Sequence, residues 1–156
     1  MEYRTQDEKE TVALASKIAA EVQPGTVIAL DGDMGSGKTV FARGFALGLG
    51  IADRIQSPTF TILQVYDSGR LPLYHFDVYR LAPQDQNLMR AQDINNSPDA
   101  VEALMDIGYE EYFNGDGVCL VEWAGLVEEL LPQDVIRITI KRDTTHEEQR
   151  IIEIAE

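Results

Sequence analysis

Gly32-Asp33-Met34-Gly35-Ser36-Gly37-Lys38-Thr39 fits G-x-x-x-x-G-K-[ST], the phosphate-cradling loop of the Walker A type. Glycine puts no side chain in the way of a polyphosphate, so Gly32, Gly35 and Gly37 let the backbone wrap closely around one. The loop's N–H groups then point inward, and the following helix presents its positive N-terminal end. In such a loop Lys38 reaches the β- and γ-phosphates, and the Thr39 hydroxyl ligates Mg²⁺. Backbone from Gly35, Ser36 and Gly37 completes the cradle. The bland alternative is a flexible glycine-rich turn. The fixed positions match by chance in roughly one chain of this length in a few hundred, and the setting lowers that further. Thr26 to Leu30 reads as a buried strand just before the loop, and Val40 to Leu49 as a helix just after it. Strand, loop, helix is the order in which the motif works.

A phosphate loop needs acids to serve the metal and the water. Glu122 ends the apolar run Val118-Cys119-Leu120-Val121. There it would hold Mg²⁺, directly or through water, or orient the attacking water; the alternative is a solvent-facing acid at a strand end. Asp77 ends a second run, Leu71 to Phe76, and fits a metal-orienting acid, a general base or a cap of the turn Asp77-Val78-Tyr79-Arg80. Spacing does not divide these roles between Asp77 and Glu122. Thr59, after Ser57-Pro58, lies where switch-type nucleotidases place a threonine that senses Mg²⁺ and the γ-phosphate. Trp123 reads as a core aromatic or as a wall beside the phosphates, with the pattern favouring the core. His75, inside an apolar strand, reads as structural, and His146 sits in a polar turn. Two histidines and one cysteine lack zinc-ligand spacing.

The elements that must position these groups follow from pattern. Thr5-Gln6-Asp7-Glu8 fits a capping box, and Val12, Ala15, Ile18, Ala19 and Val22 recur at helical spacing until Pro24-Gly25. Phe60 to Tyr66 and Leu71 to Asp77 flank Asp67-Ser68-Gly69-Arg70 and predict a hairpin. Pro83 to Asn96 is polar and weakly patterned, a surface excursion. Ser97-Pro98-Asp99 predicts a helix start, Asn114 to Gly117 a turn, and Leu126 to Leu131 a short helix closed by Pro132. Val135 to Lys141 and Gln149 to Ile154 read as two last strands. The order α-β-loop-α-β-β-α-β-α-β-β implies an α/β fold of the P-loop NTPase kind. A central parallel sheet is extended by antiparallel strands and flanked by helices, in one domain over residues 1–156. Ligands on such sheets sit at the carboxyl ends of the strands.

Composition bounds the partners. The formal net charge is −14 over 156 residues, which repels nucleic acid at long range and points to a basic partner for any RNA contact. The plainer reading of the charge is solubility. No apolar run approaches the roughly 20 residues of a membrane span, and the first eight residues lack the basic and apolar regions of a signal peptide. Cys119, the single cysteine, excludes an internal disulfide and reads as a buried, inert thiol. A cytosolic protein is the expectation.

Four segments together resemble the TsaE (YjeE) family, small P-loop ATPases of bacterial tRNA threonylcarbamoyladenosine synthesis. They are Leu30 to Thr39, Ser57-Pro58-Thr59-Phe60-Thr61, Tyr74-His75-Phe76-Asp77-Val78-Tyr79-Arg80-Leu81, and Cys119-Leu120-Val121-Glu122-Trp123. The resemblance implies that Lys38 and Thr39 bind phosphates and Mg²⁺. It makes Thr59 the switch threonine, Asp77 and Glu122 the essential acids, and Trp123 the tryptophan beside the site. It also implies that Arg150 lies near the nucleotide and that Thr5 to Glu8 edge the adenine pocket. ATP hydrolysis, slow alone and stimulated by a TsaB–TsaD pair that carries the tRNA chemistry, is the implied activity. Two departures stand out. Ala124-Gly125 replaces the Pro or Ser and acid that follow E-W in many relatives, and Pro83 to Ile107 is longer than usual.

Two other readings use the same loop. A small-molecule kinase needs an acceptor site and an Arg-bearing lid, for which Pro83 to Asn96 with Arg90 is the available segment. A GTP-dependent switch needs N-K-x-D and D-x-x-G, neither of which occurs.

Overall fold

Val27-Ile28-Ala29-Leu30 and Val118-Cys119-Leu120-Val121 are apolar without alternation, the pattern of strands covered on both faces, and all eight residues are buried. They form the centre of the sheet. The computed structural model describes residues 1–33, 35–55, 62–79 and 97–155. Its strands are β1 (Glu2–Thr5), β2 (Val27–Gly32), β3 (Leu63–Tyr66), β4 (Leu73–Asp77), β5 (Val118–Glu122), β6 (Ile136–Arg142) and β7 (Arg150–Ala155). Its helices are α1 (Glu8–Glu21), α2 (Lys38–Gly48), α3 (Pro98–Asp106) and α4 (Tyr109–Phe113), with a 3-10 segment over Ala124–Leu130.

The described strands join in one seven-stranded sheet, β1-β7-β6-β2-β5-β4-β3. β6, β2, β5 and β4 run parallel, and β3, β7 and β1 extend the sheet through antiparallel pairs. This is the α/β architecture that the sequence predicts. Alternation splits the strand side chains between two cores. Ile28, Leu30, Leu120 and Ile138 pack with Phe41 and Phe45 of α2. Val27, Ala29, Phe76 and Val121 pack with Leu104 of α3 and Phe113 of α4. Among the described residues no helix is long and apolar enough to cross a membrane.

α1 and α2 cross through small residues. A Cβ added at Gly44 would lie 2.6 Å from the Val12 carbonyl oxygen, and one at Gly48 would lie 2.3 Å from that of Ser16. Alanine at Gly48 improves helix propensity by about 1 kcal/mol, yet here it meets backbone that cannot turn aside. Overpacking of this kind costs about 1–3 kcal/mol. Gly48→Ala should therefore lower the melting temperature, and a rise on thermal denaturation would show that the helices separate at no cost.

Three local expectations need correction. Thr5 is not the cap of the first helix. It ends β1, pairs with Arg150 across the sheet, and its hydroxyl lies 2.7 Å from that of Thr11. Asp7 is the cap, its carboxylate accepting from the Glu10 N–H at 3.0 Å, while Glu10 accepts from the Gln6 N–H. Sheet pairing claims Thr5, so the capping geometry moves two residues along. β1 and α4 were absent from the sequence reading, being short elements with little periodicity. The helix read at Leu126 to Leu131 is a 3-10 segment, broken by non-helical angles at Val127. The predicted start at Ser97 stands, with Ser97 Oγ accepting from the Ala100 N–H at 3.4 Å and Pro98 opening the helix. Cys119 is buried, donates to the Tyr112 carbonyl, and burial pushes its thiol up to about 12, as an inert thiol requires. Thr59, the Ser57-Pro58 loop, Pro83 to Asn96 and Arg90 lie outside the described residues.

Candidate functional site

β2, β4 and β5 are parallel, so their carboxyl ends share one edge of the sheet. Gly32 ends β2, Asp77 ends β4 and Glu122 ends β5. The register pairs Leu30 with Glu122 and Glu122 with Asp77. Paired residues share a face, so both carboxylates stand side by side on the face that α2 covers. Asp77 and Glu122 are both buried, and each is held. The Tyr79 N–H donates to Asp77 Oδ1 at 2.9 Å, and His75 Nε2 lies 2.6 Å from Glu122 Oε2.

The loop after β2 is built around absent side chains. A Cβ at Gly32 would fall 2.5 Å from Ser36 Oγ and 2.6 Å from the Ile140 carbonyl oxygen. Gly35 and Gly37 adopt φ of +76° and +109°, which other residues reach only with strain. Gly37 is the N-cap of α2 and offers no side-chain cap, so the first N–H groups of that helix are left for another acceptor. Ser36 Oγ is buried with no hydrogen-bond partner among the described residues, a donor in want of a ligand.

Lys38 stands at the start of α2 and is buried. Its ammonium donates to the Gly32 carbonyl at 2.5 Å and lies 4.0 Å from the centre of the Trp123 ring, a cation–π contact. Burial holds it below the ordinary lysine range, against the pull of Glu122, Asp77, Asp31 and Asp33. Trp123 is the only non-glycine described residue at positive φ, 59°, and its ring packs on Tyr79 at 4.8 Å. A bulky residue held in that conformation is strain of the kind that gathers at working sites. Trp123 is buried, as a core aromatic is, and its ring also lies against the Lys38 ammonium. Asp31 precedes Gly32 at the end of β2. Burial raises its carboxyl above the usual range, while the Ala124 N–H, Lys38 and Arg137 oppose that rise.

Beside the loop, an open cleft of about 690 Å³ is lined by Thr11, Gly37, Val40, Arg142 and Arg150 among others. Arg150 Nε donates to the Ser36 carbonyl at 2.7 Å, tying β7 to the loop. Arg142 is paired with Arg150 across β6 and β7, and its guanidinium is 3.8 Å from where a Gly35 side chain would begin. Like charges opposite one another in a sheet repel, so this pair suits a site that takes an anion. Thr5 is not in the cleft lining; the Thr11 to which it is bonded is.

The model of the family described as threonylcarbamoyl adenosine biosynthesis protein TsaE matches residues 5–152. This chain belongs to the TsaE family. It is 47% identical to the tRNA threonylcarbamoyladenosine biosynthesis protein TsaE of Bacillus subtilis, over 91% of this chain and 78% of that protein. It is 39% identical to the TsaE of Treponema pallidum, over 85% of each. Its fold is similar to the crystal structure of Bacillus subtilis YdiB, with a TM-score of 0.73 at 44% identity, over 97% of this chain and 82% of that one. The family places the chain in the biosynthesis of threonylcarbamoyladenosine on tRNA.

For this TsaE family member, sequence reasoning brought Lys38, Thr39, Asp77, Glu122, Trp123 and Arg150 to one region, and the fold puts them at one sheet edge or beside it. It missed His75, Tyr79 and Arg142. A usable signal existed for the first, because His75 and Asp77 are two apart on one strand and so share a face. Arg142 carried no local signal, since only the β6–β7 pairing sets it against the loop.

Proposed function

We propose that this chain binds ATP with Mg²⁺ and hydrolyses it, supporting the modification of tRNA by partner proteins that resemble TsaD and TsaB. The observation that carries this reading is the glycine-built loop with Lys38 at its mouth and Asp77 and Glu122 at the neighbouring strand ends. Loop and helix N–H groups hold the phosphates, and Lys38 leaves the Gly32 carbonyl to neutralise them. Arg150 braces the loop through Ser36, and Arg142 adds positive charge at the cleft.

The residues present also fit the metal. Thr39, Asp77 and Glu122 supply hard oxygen donors, the kind Mg²⁺ takes. Thr39 and Glu122 would hold it, and when bound it neutralises charge developing on the phosphate oxygens. Of the two acids, one activates water and the other steadies the site. Thr59 is proposed as the γ-phosphate sensor. The region of Thr11, Val40 and the β1–α1 junction is proposed to take the base, with Thr5 acting through Thr11. A net charge of −14 supports contact with tRNA only through the complex, in the cytoplasm.

The test is ATP hydrolysis by the full chain, alone and with the partner pair, using γ-labelled ATP. Inorganic phosphate should appear, faster with the partners. Label on a metabolite with no stimulation by partners would make the chain a kinase instead.

A further inference from the structure

We infer that His75 is a positioning residue for Glu122: its buried imidazole donates from Nε2 to Glu122 Oε2 and fixes where the other carboxylate oxygen lies. This deepens the proposed function and rests on its reading of Glu122 as an acid that serves hydrolysis. The hydrogen bond is 2.6 Å long, between side chains only 1% and 4% exposed. It engages Oε2 and leaves Oε1 for the reaction.

The sheet dictates the contact. Asp77 pairs with Glu122 and His75 with Leu120, so His75 lies one step back along the strands on the same face. An imidazole at that position reaches forward to a glutamate on the next strand. Without an anchor a glutamate side chain samples several rotamers, and ordering it costs rotamer freedom. The histidine supplies that order in advance, as the groups behind a working carboxylate commonly do.

The other ring nitrogen argues that this bond is what the histidine is kept for. His75 Nδ1 is buried and has no hydrogen-bond partner among the described residues. A carboxylate only accepts, so Nε2 is the donor of this pair, and in a neutral imidazole Nδ1 is then left with a bare lone pair. A histidine retained for packing alone would bring that cost with no return, and an apolar side chain would fill the strand position better.

The experiment combines kinetics with imidazole NMR on the full chain, with the partner pair present for the kinetics. His75→Leu should lower kcat on the order of 10- to 100-fold, the scale on which misplaced groups are felt, with ATP affinity within about twofold of wild type. His75→Gln can place an amide N–H near the lost Nε2 and should recover most of the rate. In a Glu122→Gln background, His75→Leu should add little, because the group it positions is already disabled. Nitrogen NMR should show His75 locked as the Nε2–H tautomer, distinct from His146, and released by Glu122→Ala. Equal losses in Leu and Gln variants that track their melting temperatures would reduce His75 to packing, and full additivity with Glu122→Gln would overturn the coupling. Should wild type hydrolyse no ATP even with partners, the proposed function fails. The NMR arm still decides the pair, and a mobile or Nδ1–H imidazole overturns it.

Discussion

Lys38→Met should abolish stabilisation by ATP while leaving the unliganded protein close to wild type. A ligand at a hundredfold excess over Kd adds about 2.7 kcal/mol to the native state. For a chain of this size that raises the melting temperature by roughly 5–10 °C. The methionine variant should show no such rise, because the charge facing the phosphates is gone. The small effect on the unliganded protein follows from two opposing contributions. Burial disfavours the ammonium, holding it below the ordinary lysine value of 10.5. That unfavourable contribution is absent above the unfolded pKa, where the amine is neutral in both states, and is fully present once the pH falls below the lowered folded pKa. Methionine removes it but also removes the bond to the Gly32 carbonyl and the contact with Trp123. The net change should stay under about 4 °C, which corresponds to 1–2 kcal/mol. The chain's single tryptophan gives a second readout, since the ammonium 4.0 Å from its ring must move to meet a phosphate. Unliganded Lys38→Met should already carry the emission that wild type reaches only with nucleotide. An ATP-induced thermal shift of wild-type size in the variant would remove Lys38 from the binding site.

What could be read in advance was what is local. The strand Thr26 to Leu30, the glycine loop and the helix after it are continuous in sequence, and each glycine is explained by a nearby clash or a positive φ. The acids at Asp77 and Glu122 were legible because an apolar strand that ends in a carboxylate is an uncommon pattern. What could not be read depends on pairing between distant segments. β1 exists because Glu2 to Thr5 pairs with Arg150 to Glu153, and Thr5-x-x-Glu8 imitated a cap that Asp7 provides. The apolar run around His75 makes it look structural; only the neighbouring β5 turns the same position into a partner of Glu122. The positive φ of Trp123 has no sequence signature, because nothing about tryptophan favours that conformation. It follows from where β5 must end and where the chain must turn to place Ala124 against Asp31.

Glu122→Gln is the sharper of the two tests, because it separates roles that geometry leaves adjacent. The amide has the size of the carboxylate and can still accept from His75 Nε2, so the strand end and its packing should survive. It cannot take a proton. With Glu122 as the group that activates water, kcat should fall by about 10²–10⁴-fold, while the ATP-dependent thermal shift remains. With Glu122 chiefly holding Mg²⁺, the thermal shift should shrink in step with the rate, and raising Mg²⁺ should restore part of both. Asp77→Asn is the matched comparison. Asp77 is bound by the Tyr79 N–H in the turn that follows its strand, so an amide there keeps one acceptor while losing charge. The acid whose amide variant binds ATP normally but does not turn it over is the one that handles the proton. The acid whose variant loses Mg²⁺-dependent binding is the one that serves the metal. If both variants instead keep wild-type rates, neither strand-end acid is part of the chemistry and the hydrolytic reading of this sheet edge is wrong.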